Sequence, residues 1–119
     1  MVRLFVYGSL RTGLYNNPLL GKNTYVRDTE IKNYKMYSLG HYPFIMPGNG
    51  TIKGELHEIT QENYNNIRQM EEGAGYKLIK GKTLDGTPTT YYVYEIMPTH
   101  RRPEIILGGD WKKWKENKK

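Results

Sequence analysis

Only one stretch of the chain, Gln61–Glu72, carries a clear helical period. Thr60 is placed to cap its start, Ile59 to staple onto Tyr64, and Gly73 or Gly75 to supply the left-handed residue that ends it. Elsewhere the apolar residues come in short runs between turn signals, which is the pattern of strands. Val2–Val6 reads as a first strand. Lys32–Leu39 and Thr51–Ile59 alternate polar and apolar residues with the period of a half-buried strand. Tyr76–Lys82 and Thr89–Ile96 read as two strands joined by the turn Leu84–Pro88, and Pro103–Leu107 is a further strand candidate. Gly40–Gly50 holds two prolines and three glycines and is expected to bend. A second, short helix is placed at Pro18–Leu20. Many strands, few helices and no βαβ alternation predict an α+β fold around a curled or closed sheet.

A chain of 119 residues fits one domain. We place that domain at residues 1–110 and a basic C-terminal tail at 111–119. The tail, "WKKWKENKK", holds five lysines and one glutamate and so supplies four of the six net positive charges. The first 110 residues carry only the other two, so the basic signal belongs mainly to the end of the chain, and the tail reads as a solvated end rather than a binding arm. Cysteine is absent, which excludes disulfides, thiolate metal sites and a cysteine nucleophile. No apolar run approaches the roughly 20 residues of a spanning helix, and the start has no signal-peptide pattern. The expectation is a soluble cytoplasmic protein, monomeric or dimeric, without membrane contact.

Two local features carry chemical interest. Tyr64, Ile67 and Met70 share one side of the predicted helix. If that side faces the core, Glu71 lies about 40° from its centre and Glu72 about 140° away. A carboxylate on the buried side is either paired with a cation at the rim or held in a desolvated state, where its raised pKa suits it to take and return a proton. The second feature is "VYGSLRTG" (Val6–Gly13). A strand that runs into Gly8 and Ser9 is either turning a corner or opening its backbone N–H groups to an anion. It is neither a dinucleotide fingerprint nor a P-loop, since the G-x-G-x-x-G order and the G-K-[ST] ending are both missing. His41, His57 and His100 stand singly, without metal-ligand spacing, and no G-x-S-x-G elbow is present.

Taken in order, these segments resemble the γ-glutamylcyclotransferase-like superfamily, in particular its small γ-glutamylamine cyclotransferase and AIG2-like members. "VYGSLRTG" is similar to the family's V-Y-G-[ST]-L-[RK]-x-G opening, and "YNNPLL" (Tyr15–Leu20) to the N-x-x-L that follows. "LGHYPFIMPGNGTIKGELHEI" (Leu39–Ile59) resembles its glycine, aromatic-proline and G-E-[LV] region. "IRQMEEGAGYKL" (Ile67–Leu78) resembles its acidic motif, and "YYVY" (Tyr91–Tyr94) its later strand. The likeness spans about residues 2–95. The chain departs from it twice: Arg68 stands where the family usually has Asp, and Glu72 separates Glu71 from Gly73. Keeping Ile67 and Met70 in the two apolar positions aligns Glu71 with the family's catalytic glutamate.

The resemblance implies a small mixed β-barrel flanked by a few helices, with a cavity between the first loop and the acidic motif. It further implies a reaction that needs no cofactor and no metal. A γ-glutamyl amide cyclises through its own α-amine to 5-oxoproline and a free amine, with Glu71 as general acid and base. Backbone groups of Gly8, Ser9 and Leu10 would hold the substrate's oxygens, with Tyr7, Tyr76 and Tyr94 shaping the pocket. The alternatives are a non-catalytic domain of the same fold that binds a small carboxylated ligand, and a nucleic-acid-associated protein suggested by "HRR" (His100–Arg102) and the lysine tail.

Overall fold

The computed structural model describes residues 1–98 and 101–117. His100 of the "HRR" run and Lys118 and Lys119 of the tail lie outside the described residues. The chain runs β1 (Val2–Val6), a 3₁₀ turn (Asn17–Leu20), β2 (Tyr25–Ser38), β3 (Pro43–Ile59), α1 (Gln61–Gly73), β4 (Lys77–Lys82), β5 (Pro88–Val93), β6 (Glu104–Ile106) and α2 (Trp111–Asn117). The strands form one six-stranded sheet in the order β4-β5-β1-β3-β2-β6. Among the described residues β1 pairs with β5 in parallel, and the other pairs are antiparallel. The fold is α+β: a mixed sheet curled into a half-barrel, carrying two helices.

The period of two in the central strands divides the interior. Leu4 and Val6 of β1 join Phe44, Ile59, Tyr64, Ile67 and Tyr92 in one cluster beneath α1. Phe5 and Tyr7, pointing the other way, join Ile31, Ile45, Ile52, Val93 and Trp111 in a second. Both faces of β1 are therefore covered, which is why it reads as a near-continuous apolar run.

β2 begins at Tyr25, seven residues before the strand expected from the alternation. The segment Gly40–Gly50 does bend, but around a strand rather than in place of one. The chain turns at Gly40–Tyr42, and Pro43–Met46 then pairs with Lys35–Ser38. The second turn signal is absorbed as a bulge: the register jumps from Lys32↔Thr51 to Tyr34↔Pro47, with Asn33 at φ 74° opposite the extra residues. Both prolines sit where a strand tolerates them, Pro43 at its start and Pro47 beside the bulge.

α1 starts as expected, with the Thr60 side chain accepting from the Asn63 N–H. Gly75, at φ 96°, ends the turn that follows it. The side chain of Asn63 also donates to the Leu20 carbonyl, tying the helix to the 3₁₀ turn. α2 is a short helix whose Trp111 is buried in the second cluster.

Candidate functional site

The loop after β1 is built to leave its N–H groups open. Its carbonyls are taken: Gly8 O by the Arg11 N–H, Ser9 O by the Asn16 N–H, and Leu10 O by the Asn17 side chain. Among the described residues, no turn, loop or side-chain acceptor takes the N–H of Gly8, Ser9 or Leu10. Glycine at position 8 lets the loop pass close to Pro43, since a Cβ there would lie 3.0–3.1 Å from the proline ring and press on it. The Ser9 hydroxyl accepts from Asn16 Nδ2 at 2.8 Å.

The segment behind the loop is fixed to β3. Thr12 donates its N–H (2.8 Å) and its hydroxyl (2.9 Å) to the same oxygen of Glu55, and Arg11 Nε reaches the other oxygen at 3.3 Å. Arg11 also pairs with Asp110 at 3.0 Å. His57 Nε2 lies 3.0 Å from Glu55, and its other ring nitrogen 2.8 Å from the Thr24 hydroxyl. Burial pushes the Glu55 carboxyl up. The hydrogen bonds from His57 and Thr12 and the Arg11 charge outweigh it and hold the group at about 2.

Across from the loop stands the C-terminal end of α1. Tyr64 and Ile67 are buried as expected, but Met70 is 39% exposed. The inward stripe runs from buried Tyr64 and Ile67 to half-buried Glu71, a spacing of three and then four, so the carboxylate itself continues that face toward the cavity. Met70 lies at its edge. Glu72 points outward and pairs with Arg68 at 2.9 Å, both side chains about half exposed. The departure at Arg68 is thus on the solvent side of the helix. Among the described residues, Glu71 has neither a cationic partner nor a side-chain hydrogen bond. Burial alone pushes its carboxyl up to about 7. Its position in the last turn of α1, at the negative end of the helix dipole, acts in the same direction.

Loop and helix end face one another across a cavity of about 260 Å³. Tyr7, Gly8, Ser9, Leu10, Glu71 and Tyr76 all line it, and Glu71 is its one charged lining residue among those described. The seventh expected residue, Tyr94, is not among the lining residues. Its ring packs behind Tyr76, with centroids 4.6 Å apart, and stacks on Phe44. The tyrosine hydroxyls are largely committed: Tyr7 to Tyr92 O at 2.6 Å, Tyr76 to Pro43 O at 2.5 Å, and Tyr94 to Ala74 O at 3.2 Å. Tyr7 and Tyr76 therefore present ring faces rather than free donors. Asn16, Tyr42, Pro43, Met70 and Tyr92 also line the cavity and were not singled out from the sequence. The aromatic-proline pair Tyr42–Pro43 was visible in the sequence as a motif. Asn16 and Tyr92 likewise fall inside quoted motifs, "YNNPLL" and "YYVY", which gave neither a role at a site. No group of three potential metal ligands occurs among the described residues, and none of their helices is long and apolar enough to cross a membrane.

Comparison with known proteins places the chain in a family. Residues 4–113 match the family described as gamma-glutamyl cyclotransferase, AIG2-like. The chain is 48% identical over 114 residues to the gamma-glutamylcyclotransferase family protein ytfP of Citrobacter rodentium, covering 92% of this chain and 95% of that protein. It is 35% identical to the YtfP protein of Escherichia coli K12, again over 114 residues, with 92% and 96% coverage. The crystal structure of protein PH0828 from Pyrococcus horikoshii superposes with a TM-score of 0.85 at 27% identity, over 99% of this chain and 96% of that one. Matched along nearly its whole length, the chain belongs to the gamma-glutamyl cyclotransferase, AIG2-like family.

Proposed function

We propose that the protein is a γ-glutamyl cyclotransferase that converts a γ-glutamyl amine or related amide into 5-oxoproline and the free amine, with Glu71 as its acid and base. The observation that carries this reading is a single cavity lined on one side by an unpaired, desolvated carboxyl and on the other by the open N–H groups of Gly8–Leu10.

The proton inventory of the reaction suits one such carboxyl. The substrate's α-nitrogen begins as an ammonium and ends as a lactam N–H, so it sheds two protons. The leaving nitrogen begins as an amide N–H and ends as an ammonium, so it gains two. The α-amine attacks the γ-carbonyl carbon, a C–N bond forms, and the electron pair of the C=O moves onto oxygen. When that pair returns, the old C–N bond breaks as the leaving nitrogen is protonated. A group with a pKa of about 7 is equally able to accept and to return each proton near neutral pH. The oxyanion and the substrate's α-carboxylate need fixed donors, and the N–H groups of Gly8, Ser9 and Leu10 supply them without a side-chain cation.

The test is purified protein with a panel of γ-glutamyl amides, followed for 5-oxoproline. Wild type is expected to turn over at least one of them, with rate rising through an acid limb near pH 7. Glu71→Gln is expected to lose about 100-fold or more, the usual scale of acid–base catalysis, whereas Glu72→Gln keeps full activity. Turnover that survives Glu71→Gln overturns the assignment.

A further inference from the structure

One buried hydroxyl beside the cavity has no partner. Tyr92 lies on β5, opposite Leu78 of β4, and its side chain packs in the cluster beneath α1 with Tyr64 and Ile67. The residue is 5% exposed, and its hydroxyl oxygen is buried without a hydrogen bond among the described residues. A buried hydroxyl left unsatisfied is destabilising, and such groups call for a reason.

The surroundings supply one. Four tyrosines feel the charge of Glu71: Tyr7, Tyr76, Tyr92 and Tyr94. Three of them have spent their hydroxyls on backbone carbonyls. Tyr92 alone keeps an uncommitted donor. Tyr92 lines the same cavity as Glu71 and packs with Tyr64 and Ile67, so its side chain lies against the helix that carries Glu71. Glu72 and Arg68 satisfy one another on the outer surface. What remains on the inner side is one donor without an acceptor and one acceptor without a donor.

We propose that Tyr92 is a positioning residue, its hydroxyl donating to the Glu71 carboxylate whenever that carboxylate is ionised. A glutamate has three side-chain torsions, and hydrogen bonds of catalytic groups are commonly long in the ligand-free state and tighten when the site is in use. With its proton, Glu71 turns to the cavity and the leaving nitrogen. Without it, Tyr92 holds the carboxylate in a defined orientation, from which it meets the α-ammonium.

This rests on Glu71 being the acid–base group of the cyclisation, but it can be read without turnover. In protein labelled with ¹³C at glutamate Cδ, the Glu71 carboxyl, assigned by its loss in Glu71→Gln, is titrated with no substrate present. A hydrogen bond to the charged form lowers a carboxyl's pKa, so Tyr92→Phe is expected to move the midpoint upward by about half a unit or more. At about pH 5, where Glu71 keeps its proton and the hydroxyl has no acceptor, the same variant is expected to be as stable as wild type or more so. It should lose about tenfold in kcat, the order of one charge-assisted hydrogen bond, with little change in KM. An unmoved midpoint overturns the proposal. Should Tyr92→Phe not fold, the ζ-carbon of Tyr92 in wild type is followed instead. It is expected to show a step at the Glu71 midpoint that vanishes in Glu71→Gln, and a flat curve overturns the proposal. Absence of turnover on every amide, with the titration behaving as described, strikes the cyclisation alone.

Discussion

Glu71 is desolvated with no cation beside it among the described residues, so burial makes its ionised form the less favoured one in the folded chain. Its carboxyl is raised to about 7 from an ordinary value of 4.5, so the folded state holds this proton more tightly than the unfolded state does. The stability it contributes is fully present below about pH 4.5 and is lost as pH rises through 7. Glutamine keeps the shape and cannot ionise. Glu71→Gln is therefore expected to be more stable than wild type at pH 8 by up to about 3 kcal/mol, with the gap closing by pH 4. Urea unfolding at a series of pH values checks this, and parallel curves would mean that the carboxyl is not strained by burial at all. A variant that gains stability while losing turnover is the pattern expected of a functional group kept at a cost to the fold. At this scale much was legible in advance. Residues 64, 67 and 71 share a helical face, and that follows from numbering alone. What could not be read was that Met70 would sit at the edge of the stripe, or that Tyr92 would lack a partner. Both depend on how segments distant in sequence pack together: the first on how α1 seats over the cavity, the second on which acceptors reach Tyr92.

β3 shows how an element positions a loop it does not contain. Residues Gly54–His57 are buried in succession, because β3 lies between β1 and β2 with both of its faces covered there. Alternation therefore fades just where Glu55 stands, and the sequence pattern gave no sign that this carboxylate was interior. Its oxygens anchor Thr12 and Arg11, the residues that follow the open N–H groups of Gly8–Leu10. The anchor carries its stability wherever Glu55 is ionised. With the carboxyl held at about 2, that contribution is complete above about pH 4.5 and lost as pH falls toward 2. At pH 7, Glu55→Gln is expected to cost about 3 kcal/mol, since Arg11 keeps only its bond to Asp110. The loop it releases holds substrate oxygens in the proposed reaction, so KM should rise more than kcat falls. Denaturant unfolding and steady-state kinetics on the same sample separate the two effects. A loss of stability with an unchanged KM would show the loop to be self-supporting.

The molecule as a whole uses its C-terminal segment in a way that its composition conceals. Counting lysines suggests a solvated end, whereas the tryptophans at positions 111 and 114, three residues apart, lie on one side of a helical turn. In the fold the two indoles stack at 5.3 Å, and Trp111 is 2% exposed in the cluster that also holds Phe5, Tyr7 and Ile52. Two of the lysines are engaged as well. Lys112 donates to Thr12 O at 2.7 Å, and Lys115 lies over the Trp111 ring. Immediately before the helix, Gly109 O accepts from Lys53 of β3 and Asp110 holds Arg11. The segment therefore closes the second core and braces the loop beside the cavity. Removing the buried indole takes away both packing and the seat of that brace. Trp111→Ala is expected to cost about 3–5 kcal/mol, the range for emptying a large core site, and to weaken substrate binding through Arg11 and Thr12. Trp111→Phe, which fills most of the space, should recover the greater part of both. Thermal unfolding and KM measured across this pair decide the matter. If Trp111→Ala unfolds within a degree or two of wild type, the helix is a surface appendage and the loop takes its position from Glu55 alone.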